Sequence, residues 1–397
     1  MKKKDILNSR KNKAVFYLKR IFVISFVVVS ILALTFIGYD VLLKVENKIN
    51  VQNLGEFETK SEWIARMKEK AVAEYKKMPR LKGNLGFPRL ITQFRIDKHA
   101  PIYAWQAAGL LLGLHECTTE EEFVEIVNER SDLIDMTGEE IDSALLAYAL
   151  SYVTEEEYAD KEQISRNILE SVYSNIDDKK GTIMYRKVYP TFRFIDTIGL
   201  VCPFLATIAK EEDNEQYEDL ALAQILEFEE LAFDDDYEYL PFHGYDFESD
   251  APLGKYGWGR GTGWYALGLI DTYQELEDDK RKQLENSIID LAESIRKYQK
   301  EDGGWGGTVN IITSQTDTSA TALFLYFIKL ACKLEVIDKK YYIDCIDRAE
   351  KCLMNNTLPS GRVINTEGDC IALGNYSYDY KYMPFTLGIA LRAVCLE

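Results

Sequence analysis

Between His243 and Asp271 the chain reads HGYDFESDAPLGKYGWGRGTGWYALGLID, which sets a histidine, several aromatic rings and a guanidinium within a few residues of one another. Trp258, Arg260 and Trp264 fall where this loop enters a helix. A flat ring packs on the C–H face of a sugar, and a guanidinium fork holds a carboxylate through two parallel charge-assisted bonds. These residue types therefore suit an acidic sugar. Either tryptophan would serve equally as a core residue of an aromatic-rich helical protein, because Trp is usually well buried. The Gly-Arg-Gly-Thr-Gly run between them fits the first reading better, since glycines weaken a helix unless the backbone must approach something closely.

Two further runs carry chemistry. FRFIDTIGLVCPF places Asp196 at a helix start, where a carboxyl either transfers protons or caps its own helix. TDTSATALFLY offers Thr318 and Ser319 as hydroxyl donors to a carboxylate, or starts a helix with Asp317 as part of its cap. The net charge of −18 argues against nucleic acid as a partner, for which a basic face is the usual footprint. An anionic sugar is compatible with it if the cleft is locally positive, and Lys255, Arg260, Arg186, Lys187 and Arg193 could supply that charge. Seven scattered cysteines without a C-x-x-C pair give no metal clip or redox motif.

Apolar residues at helical spacing predict helices over 58–78, 101–114, 119–132, 139–152, 156–174, 194–210, 213–231, 260–276, 279–299, 317–334, 338–354 and 382–395. Long loops at 175–193, 232–259, 300–316 and 355–381 each lead into a helix that is apolar nearly all round, whereas helices such as 279–299 carry a charged face. Buried helices alternating with amphipathic ones predict an all-α protein with an inner and an outer ring, an (α/α)6 toroid. The inner helices would then point their N-termini, the positive ends of their dipoles, into one cleft.

Ahead of this body, residues 1–20 carry eight bases and one acid, and Ile21 to Tyr39 is uncharged over 19 residues. At about 1.5 Å per residue that stretch reaches across a bilayer core. The expected organisation is a basic cytoplasmic segment (1–20), a transmembrane signal anchor (21–39), a connector (40–57) and a catalytic domain (58–397) outside the cytoplasm, held at the cell membrane by a single pass. An apolar stretch longer than a signal peptide's, with no evident cleavage site before Asp40, favours an uncleaved anchor.

WGRGTGWYALGLID resembles the W-x-R-G-x-G-W signature of the unsaturated glycuronyl hydrolases of glycoside hydrolase families 88 and 105. FIDTIGLVCPFLATIAK is similar to the segment holding that family's catalytic aspartate, LPFHGYD to its loop histidine and TDTSATALFLYFI to a late helix, in the same order. The resemblance implies removal of a 4,5-unsaturated uronic acid from the non-reducing end of lyase-generated oligosaccharides, by hydration of the double bond and without metal or cofactor. It implies that Asp196 is the general acid and base, that Asp142 in EEIDSALLAYAL is the second aspartate, and that His243, Trp258, Arg260, Trp264 and Ser319 bind the substrate. The chain departs from the pattern in YAWQAAGLLLGL, where Tyr103 and Trp105 are displaced around Gly109, after Asp142, where Ser143 replaces the usual histidine, and in RKVYPTFRF. Two alternatives stand beside this expectation. One is another (α/α)6 glycosidase or lyase using Asp142 and Asp196 as a pair. The other is a non-catalytic carbohydrate-binding or envelope-assembly protein on the same scaffold.

Overall fold

The computed structural model of the chain describes residues 2–52, 54–78, 104–130, 141–154, 156–158, 161–177, 180–187, 189–233, 238–370 and 373–397. The expected start of a helix at 101–103, with Tyr103, lies outside them. The chain forms two compact units, Met1–Leu54 and Gly55–Glu397.

The first unit is one helix, α1 (Lys2–Gln52), whose stretch Val15–Gly38 is long and apolar enough to cross a membrane. Residues 40–52, expected as connector, continue the helix. KVENKINVQ is polar but contains neither Gly nor Pro, so nothing in it stops a helix that has already nucleated. The first positive-φ glycine after the span is Gly55.

In the second unit twelve helices of eight or more residues alternate between two rings among the described residues. The outer helices are α2 (Lys60–Lys77), α4 (Glu120–Asn128), α6 (Lys161–Ser174), α8 (Glu215–Ala232), α10 (Glu285–Lys297) and α12 (Lys339–Asn355). The inner ones are α3 (Ala104–Cys117), α5 (Ser143–Leu150), α7 (Asp196–Glu212), α9 (Gly259–Glu275), α11 (Thr318–Lys333) and α13 (Pro384–Cys395). Each inner helix packs on the next, and α13 packs back on α3, so the ring closes. The burial patterns follow the sequence. All of α5 is buried, whereas α10 buries Ser287, Ile288, Leu291, Ala292, Ser294 and Ile295, one stripe at helical spacing. Closure depends on glycine, because a Cβ at Gly388 of α13 would collide with the carbonyl of Gly109 on α3.

Short strands in the long loops hold the N-terminal ends of the inner helices together. β1 (Phe192–Phe194), β2 (Gly244–Asp246) and β3 (Ala251–Leu253) form an antiparallel sheet in that order, with Phe194 opposite Gly244. β4 (Thr366–Glu367) pairs with β5 (Tyr380–Lys381). Three-residue strands are too short to leave a period-2 signature, so the sequence pattern does not predict them.

Candidate active site

Six helix N-termini meet at one end of the inner ring, and the chemistry-bearing residues sit on them. Asp196 is the first residue of α7, Asp142 precedes α5, Trp258 precedes α9 and Asp317 precedes α11. The β1–β2 pairing, continued by a bond from the Ile195 N–H to the His243 carbonyl (3.0 Å), brings the loop histidine beside Asp196. His243 Nε2 lies 3.3 Å from Asp196 Oδ2, with the Asp196 side chain 16% exposed and the histidine buried.

Asp196 Oδ2 is buried and accepts no hydrogen bond. A buried carboxylate oxygen left unpaired costs on the order of 1–3 kcal/mol, so this oxygen adds nothing to stability. Nor does any side chain cap α7. Of the two roles open to Asp196, capping is therefore the one the structure does not use.

On its other side, His243 Nδ1 lies 2.8 Å from the Tyr376 hydroxyl, which accepts a bond from the Lys255 N–H at 2.7 Å. A hydroxyl that accepts there has its own proton to donate to Nδ1. Nε2, the ring nitrogen outside that bond, faces Asp196. The His243 ring lies against Trp258, with centroids 4.4 Å apart, and the edge of Phe194 closes one side.

Behind this layer lies a second group of acids. Trp258 Nε1 donates to Glu367 Oε2 at 3.1 Å, and Asp317 accepts from the Glu367 N–H at 2.9 Å. Burial pushes the Glu367 carboxyl up to about 7; Asp317 adds to the rise, while Arg260, Lys255 and the Trp258 bond oppose it. Burial also raises the Asp369 carboxyl, with Arg260 opposing and Asp196 adding. The Tyr185 hydroxyl is held well above its usual range by burial first and then by Asp142, with smaller contributions from Asp196 and Asp369. Tyr185 therefore feels three carboxylates at once.

The residues expected from sequence divide into two sets. Asp196, His243 and Trp258 come together. Asp142 stands at the same end of the ring, paired through Oδ2 with Arg186 Nη2 at 2.5 Å. Arg260 is turned to the chain's own 366–370 segment, with Nη2 3.8 Å from Asp369 Oδ1. It is 2% exposed and donates to the Glu367 and Gly368 carbonyls at 2.5 and 2.7 Å, which ties the 366–370 segment to α9. Trp264 is packed among Trp105, Phe385 and the backbone of Gly199. Ser319 is fully buried and donates its hydroxyl to Asp317 at 2.6 Å, while Asp317 also accepts from the Ser319 and Ala320 N–H groups. Of its two sequence readings, the cap is the one realised. The sequence reading missed Glu367, Asp369 and Tyr376. The signal for them was TEGDC and NYSYDY in the last long loop, acids and tyrosines leading directly into α13.

Comparison with known proteins agrees with this architecture. Residues 90–394 match the model of Glycosyl Hydrolase Family 88, and the chain belongs to that family. No curated protein matches the sequence. Among solved structures, a possible member of the GH105 family from Salmonella enterica superposes with a TM-score of 0.72 at 18% identity, covering 86% of this chain and 94% of that one. A similar protein from Klebsiella pneumoniae gives 0.71 at 19%, covering 86% and 93%. The unsaturated glucuronyl hydrolase from Bacillus sp. GL1, described as responsible for the degradation of glycosaminoglycan, gives 0.59 at 15%, covering 84% and 94%. At these identities the likeness is one of fold, the (α/α)6 toroid.

Proposed function

We propose that this glycoside hydrolase removes a 4,5-unsaturated uronic acid from the non-reducing end of an oligosaccharide by hydrating the ring double bond. Asp196 is the proton carrier. It delivers a proton to C4, takes one from the water that adds at C5, and the resulting hemiketal opens to release the next sugar. The observation that carries this reading is the buried, unbonded Asp196 Oδ2 beside His243 Nε2. A proton carrier needs an oxygen without a permanent partner, and the adjacent His243 Nε2 can orient the attacking water. Trp258 backs His243 and shields one side of the cleft, and Asp142 completes the acidic wall. A direct displacement by paired carboxylates would instead need both of them available, and Asp142 is engaged by Arg186.

The double bond absorbs in the ultraviolet, so its loss reports hydration directly. Full-length protein in detergent should bleach unsaturated disaccharides made by lyases from pectic or glycosaminoglycan polymers. Asp196→Asn should lower the rate by about 10²- to 10⁴-fold, the usual contribution of a positioned acid–base group. A folded wild type that bleaches no member of the panel would move the assignment to carbohydrate binding or envelope assembly.

We infer that the body lies outside the cytoplasm, anchored by one pass at the cell membrane; the basic segment before the apolar stretch of α1 supports this orientation. Protease added to intact cells should release the body; protection until the cells are lysed would reverse that orientation.

A further inference from the structure

A uronate brings a carboxylate into the cleft, and the chemistry requires a cation or a set of N–H donors to meet it. The cationic side chains near the site differ sharply in how they are committed. Arg260 is 2% exposed, bound to the Glu367 and Gly368 carbonyls and 3.8 Å from Asp369 Oδ1. Arg193 is fully buried, with its terminal nitrogens on the Ile183 and Gln224 carbonyls at 3.2 and 3.1 Å. Lys187 points its ammonium to Ser174 on the outer helix α6. Lys255 rests its ammonium 4.2 Å over the Tyr376 ring.

Arg186 is different in three respects. Its side chain is 23% exposed, so it is reachable in a way the other two arginines are not. Its guanidinium lies 3.9 Å from the Tyr185 ring and donates Nη1 to the Tyr185 carbonyl at 2.9 Å, which fixes its plane. It already holds a carboxylate at the catalytic end of the ring, Asp142 at 2.5 Å. A guanidinium whose plane is fixed by the Tyr185 ring and carbonyl, and which already meets one carboxylate through Nη2, is oriented for charge-assisted recognition of carboxylates at this end of the ring.

We propose that Arg186 binds the substrate carboxylate and is the specificity-determining residue of the cleft, with Asp142 acting through it as counter-ion and positioning residue. This rests on the reading of the site as one that takes a uronate. It reassigns two expected roles: carboxylate recognition moves from Arg260 and Ser319 to Arg186, and Asp142 serves the guanidinium instead of passing protons to the sugar.

The test uses the full-length protein and two matched pairs of probes. Calorimetric binding of glucuronate and galacturonate is compared with that of their methyl esters, and turnover of the unsaturated disaccharide with that of its methyl ester. Arg186→Met should weaken binding of the acids, and raise KM for the acidic disaccharide, by about tenfold or more, while changing the ester values by no more than about twofold. Arg186→Lys, which keeps the charge and loses the fork, should fall between, and Asp142→Asn should act on KM more than on kcat. Equal losses for acid and ester in folded Arg186→Met would overturn the proposal. So would an acid-selective loss in Lys255→Met that Arg186→Met does not share. If the wild type turns over no unsaturated disaccharide, the hydrolase reading fails. The binding arm still decides this proposal, since a wild-type preference for acid over ester must be present and must disappear in Arg186→Met.

Discussion

The two ends of the inner ring use buried charge in opposite ways. At the far end, where the inner helices finish, Arg392 of α13 donates to Asp271 of α9 at 2.6 Å and lies within 3.2 Å of the Tyr148 hydroxyl of α5. Tyr326 of α11 donates to the other Asp271 oxygen at 2.5 Å. Four inner helices are thereby tied by one network around a fully buried ion pair. The charge of Arg392 adds to burial in pushing His115 of α3 down to about 4, so that ring stays neutral where it stacks on Tyr152. At the end where the inner helices begin, the acids are less completely matched. Asp196 Oδ2 is unbonded, and burial raises the Glu367 and Asp369 carboxyls as it does that of Asp271, but among the described residues no guanidinium is hydrogen-bonded to either carboxylate. The same closed ring thus stabilises itself at one end and keeps polar groups in reserve at the other. That division is expected when one end must bind and react.

The comparison is broken most severely by removing Arg392. Arg392→Met leaves Asp271 charged and unpaired in the core, and chemical denaturation should show a loss of about 3–5 kcal/mol. Replacing both partners, as Arg392→Met with Asp271→Leu, should recover much of that loss, because an apolar pair of similar volume removes the stranded charge. Asp196→Asn at the other end should not lower stability at all, although it removes most of the activity. If Arg392→Met costs under about 1 kcal/mol, or if Asp196→Asn destabilises as much as it does, the division between the two ends is wrong.

Much of this division was legible in the sequence, and what escaped shares a physical cause. The rings could be read because inner helices such as α5 and α9 are apolar all round while α10 has a single apolar stripe, a local property of each segment. The position of Asp196 could be read because standing first in its own helix is again a local property of the segment. Arg260 could not be placed, because its partners are carbonyls of the 366–370 segment, more than a hundred residues away and brought back by a two-residue strand pair. Ser319 was undecided because a helix-start hydroxyl serves a ligand or a cap equally well. The outcome depended on Asp317, which must also receive the Glu367 N–H. Glu367 is one of 65 acids in a chain of net charge −18. Its burial follows from loop packing that no residue pattern announces.

Glu367 offers the finest test of the comparison, because it shows whether the reserve at the end where the inner helices begin has a measurable cost. Its folded pKa of about 7 lies above the ordinary carboxylate value of 4.5. In that window the folded state binds a proton that the unfolded state has released. Stability from this group is therefore full below about pH 4.5 and is lost as pH rises toward 7, a total of about 3 kcal/mol by linkage. Glu367→Gln retains an acceptor for Trp258 Nε1 and removes the titration. Its melting temperature relative to wild type should rise steadily between pH 5 and pH 8, measured at constant ionic strength, and level off above that. At the far end burial also raises the Asp271 carboxyl, but there the Arg392 charge and the Arg392 and Tyr326 hydrogen bonds oppose the rise, and His115 is already neutral throughout the window. A flat difference across the range would mean that Glu367 is ionised in the folded protein. The Arg260 and Lys255 charges would then match it as fully as Arg392 matches Asp271, and the contrast between the two ends would reduce to Asp196 alone.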